Sequence, residues 1–167
     1  MQGKITAANV LSDLYAMGVT KCDSVLMLLG ICRTMPAELR EIVTRELMRG
    51  FKEAVEVEAE SRITGGQTVW NPWYLIGGVA SSVVRKDVII DGVRGKIGDV
   101  LVLTKPLGCQ VVSNIHQWLR KDEKFSRIQS IISREEVERV YQAAMKQMAR
   151  LNRNASLLMH KHSIIFH

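Results

Sequence analysis

No stretch of these 167 residues is apolar for long enough to cross a bilayer, and the start lacks the basic, apolar, small-residue succession of a signal peptide. Both absences exclude the common membrane and secretory readings and point to the cytosol. Cysteine is scarce: Cys22, Cys32 and Cys109 are odd in number and form no CxxC, which argues against a disulfide framework or a zinc site. Aromatic residues make up only 5% of the chain, and none is interleaved with a basic stripe. Lys and Arg exceed Asp and Glu by six (23 − 17), yet the positive charge is scattered. Its loose clusters, Arg120, Lys121, Lys124, Arg127 and Lys146, Arg150, Arg153, read as solvated helix faces rather than a nucleic-acid surface. There is no internal repeat and no low-complexity tract.

What is present is the composition of a globular chain, 47% hydrophobic and 24% charged, near the length of one domain. Gly3 to Met17 reads as a mostly apolar helix closed by Gly18. Ser24 to Cys32 (SVLMLLGIC) is a short apolar run that suits a buried strand. After Pro36, the apolar residues Leu39, Ile42, Val43, Leu47, Phe51 and Val55 recur at helical spacing, and the EAVEVEAESR end from Glu53 is charged and expected to be exposed. Trp73 to Val84 reads as a strand weakened by Gly77-Gly78, Arg85 to Gly98 as a boundary or hairpin, and Val100 to Thr104 as a compact strand. A helix follows around Val111 to Leu119. Ser133 with Glu136 forms a capping box for another, whose face runs through Val137, Val140, Tyr141, Ala144, Met148 and Leu151. The order is mixed α and β, with too few strands for a complete doubly wound sheet.

Three patterns could carry chemistry. Thr6, Asn9 and Asp13 share one face of the first helix, a short polar stripe ending in a carboxylate. An ionised Asp buried there would need a cation, a metal or several donors, so a Mg²⁺ ligand stands against a thin exposed stripe or a structural hydrogen bond. Gly65-Gly66-Gln67-Thr68 would let a backbone approach phosphate or ribose closely, although a glycine pair before a strand more often marks a tight turn. Lys105-Pro106-Leu107-Gly108 follows a strand, where α/β folds place ligand crevices, but by itself reads as a solvated loop. Cys22 and Cys32 read as buried structural thiols and Cys109 as a loop thiol without a partner. His116, His160, His162 and His167 have no metal-ligand spacing, and His116 reads as a surface or packing residue.

Taken in order, these segments resemble a known family. Gly3 to Gly18 (GKITAANVLSDLYAMG), Thr64 to Trp73 (TGGQTVWNPW), Asp99 to Gly108 (DVLVLTKPLG), His116 to Leu119 (HQWL) and Ala149 to Ala155 (ARLNRNA) are similar to the selenophosphate synthetases (selenide, water dikinases) of animal type. That family lies in the aminoimidazole-ribonucleotide-synthetase-like superfamily, and the resemblance runs from about Gly3 to His160. It implies an α/β fold with a partial N-terminal ATP-binding and dimerisation domain over 1–90. The beginning of a second, C-terminal α/β domain is expected over 98–160, and a divergent tail over 161–167. It implies a reaction in which ATP, selenide and water give selenophosphate, AMP and phosphate. By the same resemblance Asp13 is a Mg²⁺ ligand, Asp13 with Gly65, Gly66, Gln67 and Thr68 contacts ATP, and Asn9 and Ser12 support the site. It further implies a cytoplasmic homodimer with neither nucleic acid nor membrane as partner. No catalytic residue is expected in this chain, because the family's reactive Cys or selenocysteine, its neighbouring lysine and further metal-binding aspartates correspond to none of these residues. The chain alone is therefore expected to be inactive, the alternative being a non-catalytic dimerising or regulatory relative.

Overall fold

Helix α1 spans Gln2–Ala16 and buries Gly3, Ala7, Ala8, Leu11 and Tyr15, a stripe at spacings of three and four that one side of a helix presents. It ends at Gly18, whose φ of 78° is a left-handed conformation natural to glycine. Gly18 N–H donates to Tyr15 O (3.0 Å) and Val19 N–H to Leu14 O (2.8 Å), the paired bonds of a Schellman closure. Helix α2, Ala37–Lys52, continues as π-helical turns over Glu53–Glu58. The two helices cross where Gly3 meets Gly50: a Cβ on Gly3 would overlap Leu47 O and lie 2.6 Å from Phe51 N. Lys4 Nζ fastens the crossing to Glu53 (2.7 Å) and Glu58 (2.8 Å).

Three strands lie in the order β2-β1-β3. The central strand β1, Ser24–Cys32, pairs in parallel with β2, Ile63–Asn71, and antiparallel with β3, Leu75–Ser81. Val25 and Leu29 of β1 face the helices and are 0% and 3% exposed. They meet a core of Ala7, Leu11, Tyr15, Cys22, Phe51, Ala54, Val55 and Ala59. Fully burying side chains of the size of Leu11 and Phe51 contributes about 1.5–3 kcal/mol each.

These elements belong to the first of two compact units, formed by Met1–Leu101 together with the chain from Ala149 onward; the second is Val102–Met148. The computed structural model describes residues 1–93 and 95–162. His167 and the rest of the expected tail beyond His162 lie outside the described residues, as does Arg94 within the expected boundary segment. In the second unit, α3 (Cys109–Trp118), α4 (Asp122–Phe125) and most of α5 (Arg134–Ala149) bury Phe125, Val137 and Ala144. Arg134 lies over the Phe125 ring at 4.4 Å and donates to Asp122 Oδ1 (2.8 Å). The capping box forms in both directions: Ser133 N–H donates to Glu136 Oε2 (3.0 Å) and Glu136 N–H to Ser133 Oγ (3.2 Å). Replacing Ser133 with Ala should cost about 1 kcal/mol, read as a lower urea midpoint at unchanged slope. Helix α6, Arg153–Lys161, packs back on α1 in the first unit.

Several expectations need correction. Gly65 to Thr68 form neither a turn nor a loop but the middle of β2, paired with Leu26 to Leu29, because β1 supplies the backbone partners that glycines alone would not suggest. The strand β1 is buried on one face only: Leu26 and Leu28 are exposed, as are Val69, Leu75 and Val79, which the register places on the same side of the sheet. Val100 to Thr104 form no strand; Val100 and Leu101 are 81% and 92% exposed, with no neighbouring strand among the described residues to bond their backbone. On α2, Leu47 and Phe51 are buried, as is Val55 in the π-helical turns, whereas Leu39 and Ile42 are half exposed. The charged EAVEVEAESR end is not wholly exposed, since Ala54, Val55 and Ala59 turn into the core while Glu53, Glu56 and Glu58 face outward.

Candidate functional site

Asp13 sits in the last turn of α1, and its stripe with Thr6 and Asn9 opens onto a nook of about 370 Å³ closed by Val10, Ile76, Gly77 and Gly78. The glycine pair of β3 makes the nook possible. A Cβ on Gly78 would lie 2.6 Å from Leu26 O and 3.3 Å from the Phe51 ring, so the strand can lie this close to the helices only without a side chain there. Thr6 Oγ1 turns back to donate to Gln2 O (3.0 Å), and Ser12 Oγ reaches Asp13 Oδ1 at 3.4 Å. The carboxylate of Asp13 is exposed, contrary to the premise that burial would force a cation on it. It is an open oxygen donor set beside a polar nook rather than a charge in need of rescue.

Gly65, Gly66, Gln67 and Thr68 border a second space, a groove of about 1320 Å³ between β2 and α2. Its floor is the helix-facing side of β1, Met27, Leu29 and Ile31, and its far wall carries Arg40, Thr44, Arg45 and Met48. Arg40 lies over the Trp70 ring at 5.0 Å, and Tyr74 Oη donates to Arg40 O (2.9 Å), fixing that end of α2 to the strands. As an edge strand, β2 has no neighbour on its outer side among the described residues. Backbone donors there are available to a phosphate or ribose oxygen. The groove lies on β2 and the nook on β3, with β1 between them, so one chain does not bring Asp13 and Gly65 to Thr68 into a single pocket.

The remaining candidates fall outside both spaces. Lys105 lies in an irregular segment, and Gly108, with φ 102°, leads into α3. Cys22 and Cys32 are buried, and the Thr34 hydroxyl 3.2 Å from Cys32 Sγ holds that thiol below its usual range. Cys109 opens α3 and is partly covered. His116 stacks on Tyr141 with ring centroids 3.6 Å apart and has Nε2 3.3 Å from Glu138, a packing role. Among the described residues no three His, Cys, Asp or Glu side chains gather where a metal ion could sit between them. A divalent cation at this chain would therefore have Asp13 as one protein ligand and draw the others from phosphate and water, a mode that suits Mg²⁺. No helix among the described residues is long and apolar enough to cross a membrane. Sequence spacing singled out neither the Arg40–Trp70 wall nor His160, which meets Gly18 O at 2.6 Å.

Residues 1–94 match the family described as AIR synthase related protein, N-terminal domain. Over 160 residues the chain is 54% identical to a mouse protein named selenide, water dikinase 2, covering 96% of this chain and 35% of that protein. It is 55% identical over 161 residues to zebrafish selenide, water dikinase 3, covering 96% and 36% of the two. Against the selenide, water dikinase of Trypanosoma brucei brucei it is 51% identical over 164 residues, covering 97% and 42%. The chain thus spans between about a third and two-fifths of the length of these relatives.

Proposed function

The chain belongs to the family of AIR synthase related proteins through its N-terminal domain, and on that premise we propose that it is part of a selenophosphate synthetase. The reaction is ATP-dependent: selenide takes a phosphoryl group, and water completes the breakdown of ATP to AMP and phosphate. The observation that carries this reading is identity above one half over 96% of the chain, a span that includes both the Asp13 helix and the Gly65 to Thr68 strand. In this reading Asp13 holds Mg²⁺ as one oxygen ligand, and Asn9 and Thr6 line the same nook. Bound there, the metal would neutralise phosphate charge. Gly65 and Gly66 keep the β2 backbone bare for a close approach of the nucleotide, while Gln67 and Thr68 offer an amide and a hydroxyl to its polar groups. The groove floor of Met27, Leu29 and Ile31 excludes water from the bound nucleotide's inner side. The protein acts in the cytoplasm.

A homodimer is the companion proposal. Leu26, Leu28, Val69, Leu75 and Val79 make an apolar face across all three strands that the helices leave uncovered. Open sheet faces and edges of this kind are association surfaces, and a two-fold axis pairs one with its own copy. Sedimentation at micromolar concentration should give a dimer, and Leu28→Lys should shift it to monomer. A wild-type chain that stays monomeric would contradict the proposal.

The chain alone should not make selenophosphate. Phosphoryl transfer needs several charged groups in place together, and their effects are far from additive. Incubated with Mg-ATP and selenide under anaerobic, reducing conditions and followed by phosphorus NMR, it should form no AMP above the enzyme-free rate. Selenide-dependent AMP would show that the groups outside this segment are dispensable. A non-catalytic dimerising relative would give the same null result here but would leave the nucleotide unbound.

A further inference from the structure

We infer that Arg153 and His160, on the face of α6 that meets α1, are positioning residues for Asp13; the inference rests on the metal-nucleotide reading of that carboxylate. Asp13 occupies the last turn of α1, and helix ends fray unless their carbonyl groups are bonded. The Schellman closure satisfies Leu14 O and Tyr15 O, and Ile90 N–H donates to Met17 O (2.9 Å). The next two bonds come from far along the chain. His160 Nε2 lies 2.6 Å from Gly18 O, and since a carbonyl only accepts, that nitrogen carries the proton. Arg153 Nε donates to Thr20 O (3.3 Å), and its Nη2 donates to Glu60 Oε2 (2.8 Å).

The clasp is seated by packing. Ser156, one turn along α6 from Arg153, is fully buried, and Leu151 lies against the core that contains Tyr15. Gly18 leaves no slack, since a Cβ there would stand 2.8 Å from the Ile90 side chain and 3.1 Å from His160 Nε2. The turn that follows Asp13 is thus held from both sides, and through Met17 N–H, which donates to Asp13 O (3.1 Å), that hold reaches Asp13 itself. A carboxylate on a frayed turn must be ordered before it can coordinate; one on a clasped turn is pre-organised. The ARLNRNA segment contains Arg153 and gains a physical role from this contact: it starts the helix that closes α1.

The test compares wild type with Arg153→Ala/His160→Ala and with the conservative pair Arg153→Lys/His160→Gln, which keeps a donor at each position. Amide exchange by NMR should quicken about tenfold or more at Tyr15 to Val19 in the alanine pair, the loss expected of two hydrogen bonds, while β1 amides keep their protection. Mn²⁺ affinity at Asp13 in the presence of ATP, read by paramagnetic broadening, should fall in parallel, and the conservative pair should recover both. Exchange at Tyr15 to Val19 unchanged within twofold in the alanine pair would overturn the inference. Should the alanine pair not fold, the same comparison is made with His160→Ala and His160→Gln singly. Lack of Mn²⁺ binding in the wild type would count against the metal reading alone, because the exchange measurement decides the clasp without metal.

Discussion

Gly66→Ala should destabilise the chain by about 3 kcal/mol or more, while Gly65→Ala one residue away should stay within about 1 kcal/mol. The two glycines sit side by side in β2, yet of the pair only Gly66 has a positive φ, 153°. In that conformation the Cβ of an L residue points in the sheet plane at β1, where it would overlap Met27 O and lie 2.8 Å from Met27 C and N. Backbone atoms in the central strand cannot swing aside as a side-chain tip does, so the parallel pairing of β1 with β2 must open. At Gly65 the nearest atom is Leu26 Cδ2 at 3.6 Å, an ordinary contact. Thermal melts should separate the pair by roughly 5–10 °C. Equal melting temperatures would mean that β2 does not run against β1 in this register.

The second large effect concerns Asp13. Asp13→Asn should weaken Mn²⁺ binding in the presence of ATP by roughly 10- to 100-fold while leaving the melting temperature within about 2 °C of wild type. At an effective dielectric of about 20, one unit charge 4 Å from another contributes about 4 kcal/mol, and the exposure of this carboxylate reduces that figure through solvent and salt. The amide keeps the shape and one oxygen, and it loses the charge. The fold should not notice, because the side chain is exposed and, among the described residues, its one hydrogen-bond donor is Ser12 Oγ at 3.4 Å. Titration of Mn²⁺ at fixed ATP, followed by water-proton relaxation, measures the effect; affinity unchanged within threefold would remove Asp13 from the metal site.

Local signals in the chain were legible where a local cause sets the structure. The α1 stripe, the glycine that closes it and the Ser133–Glu136 box each depend on residues within a few positions of one another, and each formed as the spacing implied. Strand β2 was hidden because Gly65 and Gly66 have poor strand propensity, and only β1, some forty residues upstream, turns them into a ladder. Val100 to Leu103 show the converse: strong strand propensity is not a strand without a neighbour to bond. The candidate site divides in the same way. Asp13, Thr6 and Asn9 share a face by helical spacing alone, whereas the exposure of Asp13 depends on where β3 passes. The contacts of Arg153 and His160 with the end of α1 span 133 and 142 residues of sequence, beyond the reach of any periodicity.

The most direct test of the account is the response of individual amides in the isotope-labelled chain to ATP and then to Mn²⁺. ATP should shift the amides of Gly65 to Thr68, and Mn²⁺ added to the ATP-bound chain should broaden those around Asp13 first, with that broadening lost in Asp13→Asn. Unshifted amides at both places under millimolar ATP and Mn²⁺, or changes confined to the Val102–Met148 unit, would contradict the claim that this segment carries part of a metal-nucleotide site.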